Sequence, residues 1–196
     1  MRLSGNEVFS YSIHKNILDD VECWSLISEF TKFKVAETLS DDSKYRKAQI
    51  AIYESESDIL KRVREIISIK TNTNITNQET PVSFVKYERG DEYKEHYDSF
   101  GDLKDFPNIE SGDRVKTAIL YLNDNYIGGE TEFPLEGLKI KLSPGDLLVW
   151  DNLNKDGSLN RKTLHSGLPV IEGTKYIIVV WIREREFNIQ IKKTLL

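Results

Sequence analysis

The sequence predicts an α+β domain with a double-stranded β-helix (jelly roll) core, buttressed on one face by N-terminal helices. Three observations lead there. Apolar residues recur at helical spacing in two stretches, both before residue 71. From Val82 onward, short β-branched and aromatic runs alternate with turn signals. The order, helices ahead of most strands, suits segregated layers better than alternating βαβ units.

The first helix is expected from about Asp20 to Phe30, where Val21, Trp24, Ile27 and Phe30 fall at three-residue steps. Residues 48–53 read as a strand. In the second helix Ile59, Leu60, Val63, Ile66 and Ile67 recur at helical spacing, and Ser55 followed by Asp58 suggests its start. Its Lys61-Arg62-Val63-Arg64 stretch is the richest basic run and reads as the helix's solvated face. Residues 71–80 form a polar loop. Asn74-Ile75-Thr76 within it is a glycosylation sequon, read as coincidence without a signal peptide.

Strands then dominate. Over 117–122, alternation places Thr117, Ile119 and Tyr121 on one face and Ala118, Leu120 and Leu122 on the other, both largely apolar, as in the inner layer of a sandwich. Gly128-Gly129 and Pro144-Gly145-Asp146 mark turns. The run Lys175-Tyr176-Ile177-Ile178-Val179-Val180-Trp181-Ile182 reads as a buried strand with Lys175, Ile177, Val179 and Trp181 on a common face.

The chain has 196 residues, 39% hydrophobic and 30% charged, which fits one compact domain spanning 1–196. A net charge of -5 argues against a chain built to bind nucleic acid, whose footprint is a basic patch. No segment approaches the roughly eighteen apolar residues of a membrane span. The first ten residues lack the apolar stretch of a secretory signal. Cys23 is the single cysteine, so no intrachain disulfide can form, and a cytoplasmic protein is expected.

His96, Asp98 and His165 are the candidate metal ligands. A non-haem Fe(II) oxygenase needs two imidazoles and one carboxylate on one face of the ion, with the other positions open. In a strand, His96 and Asp98 of His96-Tyr97-Asp98 project from the same side. Taken alone, a His-x-Asp pair also suits a solvated strand face. His165 lies in the turn-rich stretch Leu164-His165-Ser166-Gly167-Leu168-Pro169-Val170, ten positions before Lys175. If His165 ends one strand and Lys175 begins the next, both face one cavity, where the ammonium can pair with the far carboxylate of a chelating oxoacid. The competing reading makes Lys175 a snorkelling strand-end residue. Tyr121 would carry a phenol inward, toward a ligand carboxylate or toward a backbone carbonyl or water. Trp181 suits core or cavity wall, and Arg114 a solvated strand flank or the site.

Five ordered blocks carry a resemblance: 87–98, 114–124, Gly128-Gly129-Glu130-Thr131-Glu132-Phe133-Pro134, Pro144-Gly145-Asp146, and 164–175. Together they resemble the catalytic domain of 2-oxoglutarate and Fe(II)-dependent prolyl 4-hydroxylases, strongly over 82–183 and more weakly upstream at Tyr45-Arg46. The resemblance implies that His96, Asp98 and His165 hold iron. It implies that Lys175 binds the C5 carboxylate of 2-oxoglutarate with help from Tyr87, Tyr121 or Thr131, and that Tyr93, Arg114 and Trp181 line the mouth where the target docks. The implied reaction uses dioxygen, converts 2-oxoglutarate to succinate and carbon dioxide, and hydroxylates C4 of a peptidyl proline, with ascorbate rescuing oxidised iron. A proline-containing peptide or protein is the implied partner. The same chemistry on a free amino acid, another side chain or a nucleobase is the alternative, and a non-catalytic metal-binding domain a third. The irregular stretch 99–113, with Gly101, Pro107 and Gly112, is expected to act as a lid.

Overall fold

The computed structural model of the chain describes residues 8–30, 46–52, 56–101 and 109–187. In chain order these form β1 (Tyr11–His14), α1 (Asp20–Phe30), β2 (Arg46–Lys47), β3 (Gln49–Ile52), α2 (Asp58–Thr71), β4 (Ser83–Tyr87), β5 (Glu92–His96), β6 (Arg114–Tyr121), β7 (Ile127–Gly128), β8 (Thr131–Phe133), β9 (Leu138–Ile140), β10 (Leu147–Asp151), β11 (His165–Gly167), β12 (Val170–Glu172) and β13 (Lys175–Arg183). A six-stranded sheet runs β1-β10-β6-β13-β4-β3, and a five-stranded sheet runs β2-β5-β11-β8-β9. All pairings within them are antiparallel. With two helices on the larger sheet, this is the expected α+β jelly roll.

Strand alternation explains the three layers. Ala118, Leu120 and Leu122 pack with Leu147, Val149, Ile178 and Val180 against Cys23, Leu26, Leu60, Val63 and Ile67 of the helices. Their neighbours Ile119, Tyr121, Leu148, Trp150, Ile177 and Val179 point the other way, into the space shared with Phe133 and Ile140 of the smaller sheet. The inner strands β6 and β13 are covered on both faces, which is why they read as continuous apolar runs.

Several local expectations are corrected. In α1, Val21 and Trp24 are exposed, at 77% and 56%, while Cys23, Leu26 and Ile27 are buried. A three-residue step falls short of a helical turn and drifts around the cylinder, whereas the i, i+3, i+4 set stays on one face. The cap of α2 is Ser57, whose hydroxyl accepts from Leu60 N at 3.4 Å. Ser55 lies outside the described residues, as do Tyr45 and Tyr53. Thr71 closes α2 instead of opening a loop. Lys61 and Arg62 are exposed as expected, but Arg64 is drawn in by Glu56 at 2.6 Å and Gln78 at 3.1 Å.

Near the candidate ligands, β5 stops at His96, and Asp98 sits in the bend that follows. His165 opens β11 and does not end a strand. Of the 99–113 stretch, residues 102–108 lie outside the described residues, and the lid expectation falls mainly there. Its two ends are tied together, since the Asp113 carboxylate accepts from Ser99 Oγ at 2.6 Å and Phe100 N at 2.8 Å. Among the described residues, no helix is long and apolar enough to cross a membrane.

Candidate active site

Strand pairing brings the three candidate ligands together. His96 and His165 are direct partners across β5 and β11, with ring centroids 4.2 Å apart. Asp98, past the end of β5, turns its carboxylate between them: Oδ1 is 3.6 Å from His96 Nε2, and Oδ2 is 3.6 Å from His165 Nε2. The ligand atoms all lie within 4.8 Å of one another. A separation of 3.6 Å is too long for a hydrogen bond. The cluster instead gathers two imidazoles and one carboxylate, a donor set that one ion could share.

Backbone carbonyls decide which ring nitrogen is free. His96 Nδ1 lies 2.7 Å from Lys94 O, and His165 Nδ1 lies 2.9 Å from Thr163 O. A carbonyl only accepts, so each Nδ1 carries the proton and each Nε2 keeps its lone pair toward the centre. The Thr163 carbonyl is itself placed by a short turn over Arg161–Thr163, capped by Asn160 Oδ1 accepting from Lys162 N at 3.1 Å. Burial, with His165 alongside, pushes the His96 imidazole well below its ordinary value, which keeps it neutral and able to coordinate. Burial opposes ionisation of Asp98, but His165, His96, Arg114 and the Thr117 hydroxyl outweigh it and leave the carboxyl below its usual range.

Aromatic rings fix the imidazoles in place. Tyr93 stacks on His96 at 3.6 Å, and Trp150 meets His165 edge-on at 4.9 Å.

Behind the ligands runs a cavity whose wall includes Tyr87, Thr131, Lys175, Ile177, Val179 and Trp181. The alternation expected for β13 therefore holds. Lys175 is 2% exposed, and its Nζ donates to Gly129 O at 2.7 Å. Among the described residues, no carboxylate lies within ion-pairing distance of it. Its Nζ stands 5.3 Å above the Tyr87 ring and 5.6 Å above the Tyr121 ring. Burial pushes the ammonium down to about 8, with Glu130 pulling weakly the other way. The Tyr121 phenol meets Thr131 Oγ1 at 2.8 Å, a partner that is neither of those anticipated. Desolvation by burial raises both Tyr121 and Tyr87, so both phenols stay protonated as donors.

Of the three expected mouth residues, Tyr93 and Trp181 line the cavity. Arg114 reaches it only through Trp181, on whose ring its guanidinium stacks at 3.8 Å. Its Nε and Nη2 donate to the two Glu79 oxygens at 2.7 and 2.8 Å. It is therefore an ion-paired residue, not a solvated flank.

Three residues had no assigned role in the sequence reading. Arg46, on β2, lies 4.7 Å over the Tyr93 ring and hydrogen-bonds Tyr87. Thr117 Oγ1 donates to Asp98 Oδ2 at 2.6 Å, and Asn152 Nδ2 donates to Thr117 Oγ1 at 2.9 Å. Alternation already turned Thr117 inward, and Asn152 continues the inward series Leu148, Trp150. Their purpose depends on which strands adjoin.

Residues 82–183 match the family model described as the 2OG-Fe(II) oxygenase superfamily. The chain belongs to this superfamily. Its relatives place it with the prolyl 4-hydroxylases. Prolyl 4-hydroxylase 13 of Arabidopsis thaliana is 31% identical over 78% of this chain, which spans 60% of that protein's length. A putative prolyl 4-hydroxylase of Acanthamoeba polyphaga mimivirus is 31% identical, covering 88% of this chain and 74% of the viral protein. Among solved structures, the viral collagen prolyl hydroxylase of Paramecium Bursaria Chlorella virus-1, in complex with 2OG, superimposes with a TM-score of 0.71 at 26% identity, covering 88% of this chain and 95% of that one. Membership makes the chain an oxidoreductase that uses Fe(II), 2-oxoglutarate and dioxygen, and the His-Asp-His convergence matches that chemistry.

Proposed function

We propose that this chain is a prolyl 4-hydroxylase acting on proline-containing peptide or protein substrates, with Fe(II) held by His96 Nε2, an Asp98 carboxylate oxygen and His165 Nε2. The observation that carries the reading is Lys175. A buried ammonium without a carboxylate partner among the described residues is costly unless an anion arrives. It shares its cavity with three converging metal donors. A diacid that chelates iron at one end and meets Lys175 at the other answers both features.

Iron bound there supplies dioxygen activation coupled to decarboxylation of 2-oxoglutarate to succinate and carbon dioxide, with one oxygen atom going to C4 of the proline. The protein supplies the arrangement. Lys175 holds the C5 carboxylate, and the hydroxyls of Tyr87, Tyr121 and Thr131 offer donors to the same group. Ile119, Ile177 and Val179 form the apolar side of the cavity and limit water. Tyr93 and Trp181 line the mouth where a pyrrolidine ring would dock, and Arg114 holds Trp181 by stacking. Ascorbate belongs to the same proposal, as the reductant that returns iron to the ferrous state.

The test is an assay of succinate release with Fe(II), 2-oxoglutarate and oxygen across a panel of proline-rich peptides, read alongside peptide mass. A gain of one oxygen on proline, matched to succinate, is expected. Succinate without peptide oxidation moves the target to another substrate class, and no succinate under any condition rejects the oxygenase assignment.

A further inference from the structure

We infer that Asn152 and Thr117 are positioning residues for the metal centre, forming a one-way hydrogen-bond relay that aims the Asp98 carboxylate. The inference rests on the ligand set proposed above. All three members are buried, with Asp98 at 5%, Thr117 at 0% and Asn152 at 0% exposure, which limits competition from water for their bonds.

The direction of the relay follows from chemistry. A carboxylate only accepts, so in the 2.6 Å contact the Thr117 hydroxyl must donate to Asp98 Oδ2. Its single proton is then committed, and its oxygen can only accept from Asn152, 2.9 Å away. Asn152 must therefore present its NH2, which leaves Asn152 Oδ1 buried without a partner among the described residues. An orphaned amide oxygen is the cost of holding the amide this way round. Turning the amide over would set two acceptors, Asn152 Oδ1 and Asp98 Oδ2, against the single Thr117 proton.

Three strands supply the geometry. Thr117 on β6 is paired with Trp150 on β10 on one side and with Trp181 on β13 on the other, which points its side chain at the bend carrying Asp98. Asn152 follows directly after β10, and its backbone N–H bonds Val115 O at 2.9 Å. The hydroxyl meets Oδ2, the oxygen facing His165, and so fixes the carboxylate's rotation about its own axis. A carboxylate free to rotate does not offer a metal one constant oxygen, and partners behind a ligand raise metal affinity by holding it still.

The experiment titrates Co(II), a spectroscopic substitute for Fe(II), into the full chain without substrate, following the visible absorption of the bound ion. Thr117→Val keeps the shape and removes the donor. It should weaken Co(II) binding about 10- to 100-fold. Thr117→Ser restores the hydroxyl and should bind within about threefold of wild type. Asn152→Ala should weaken binding, and adding it to Thr117→Val should cause no further loss, because it acts through the missing hydroxyl. If Thr117→Val does not fold, Thr117→Ser and Asn152→Ala carry the comparison against wild type. Equal affinity of wild type and Asn152→Ala, failure of serine to rescue, or multiplying losses in the double variant overturns the relay. Absence of Co(II) binding by the wild type rejects the ligand set itself, a separate outcome.

Discussion

His96 and His165 are direct partners in the ladder between β5 and β11, and each ring is held by the carbonyl two residues before it. The pairing makes the two imidazoles one unit, with Asp98 closing the triangle. Replacing any corner opens it. Asp98→Ala and His165→Ala should each weaken Fe(II) binding and reduce succinate formation below detection, measured by metal titration and by succinate assay. Retained turnover in either variant contradicts the ligand assignment.

Lys175 separates metal binding from cosubstrate binding. Lys175→Met removes the cation and keeps the apolar stem. The concentration of 2-oxoglutarate needed for half-maximal turnover should rise by about 10²-fold, as for loss of a charged pair worth close to 3 kcal/mol. Fe(II) affinity should stay within about twofold. The ligand-free variant should also melt higher than wild type, since it no longer buries an unmatched charge.

The same lysine sets a pH dependence. Its folded value, about 8, lies below the ordinary lysine value of 10.5. Between those values the unfolded chain binds more protons than the folded one, so stability of the ligand-free protein should rise as pH increases from about 8 toward 10.5. Below 8 the burial penalty is present in full. Affinity for 2-oxoglutarate should move in the opposite direction, falling as pH passes 8 and the ammonium is lost. Calorimetric melting and cosubstrate titration over pH 7 to about 10 check both signs, and Lys175→Met should abolish both trends.

Glu79 binds two guanidiniums, Arg114 and Arg183, beside Trp181. Glu79→Gln should cost about 3 kcal/mol in denaturant unfolding, because it leaves partly buried cations short of a charge. Arg114→Lys cannot reproduce the two-pronged contact or the stacking. It should raise the KM for a prolyl peptide severalfold while leaving peptide-independent 2-oxoglutarate turnover unchanged. An unchanged peptide KM removes Arg114 from the mouth.

Helix α1 offers a test of packing alone. Leu26 is fully buried and Trp24 is exposed. Leu26→Ala should cost about 3 kcal/mol. Trp24→Ala, despite deleting a larger side chain, should stay within about 0.5 kcal/mol. Reversed magnitudes would put the core on the wrong side of the helix.

Much of this protein is legible in its residues. The layers follow from alternation: Ile119 and Ile177 on one side, Leu120 and Ile178 on the other, with no knowledge of neighbours needed. The common face of Lys175, Ile177, Val179 and Trp181 follows in the same way, because a pleated strand repeats every two residues. Having only three histidines narrowed the imidazole donors, but with 32 Asp and Glu residues in the chain it was the ordered five-block resemblance that singled out His96, Asp98 and His165. Helix α1 was placed correctly along the chain, but of its expected apolar set Ile27 is buried while Val21 and Trp24 face solvent; the pattern did not separate them because those two are as apolar as the residues that do pack.

Only the tertiary structure decided how those donors meet. The chain alone could not show that His165 opens a strand opposite His96, that Asp98 sits in a bend, or that Arg46 comes to rest over Tyr93. It also could not join Thr117 to Asn152 behind Asp98. Local pattern determines which way a side chain points from its own strand. Which side chain it then meets depends on the register between strands far apart in sequence, and that register is fixed by the packing of the whole sandwich.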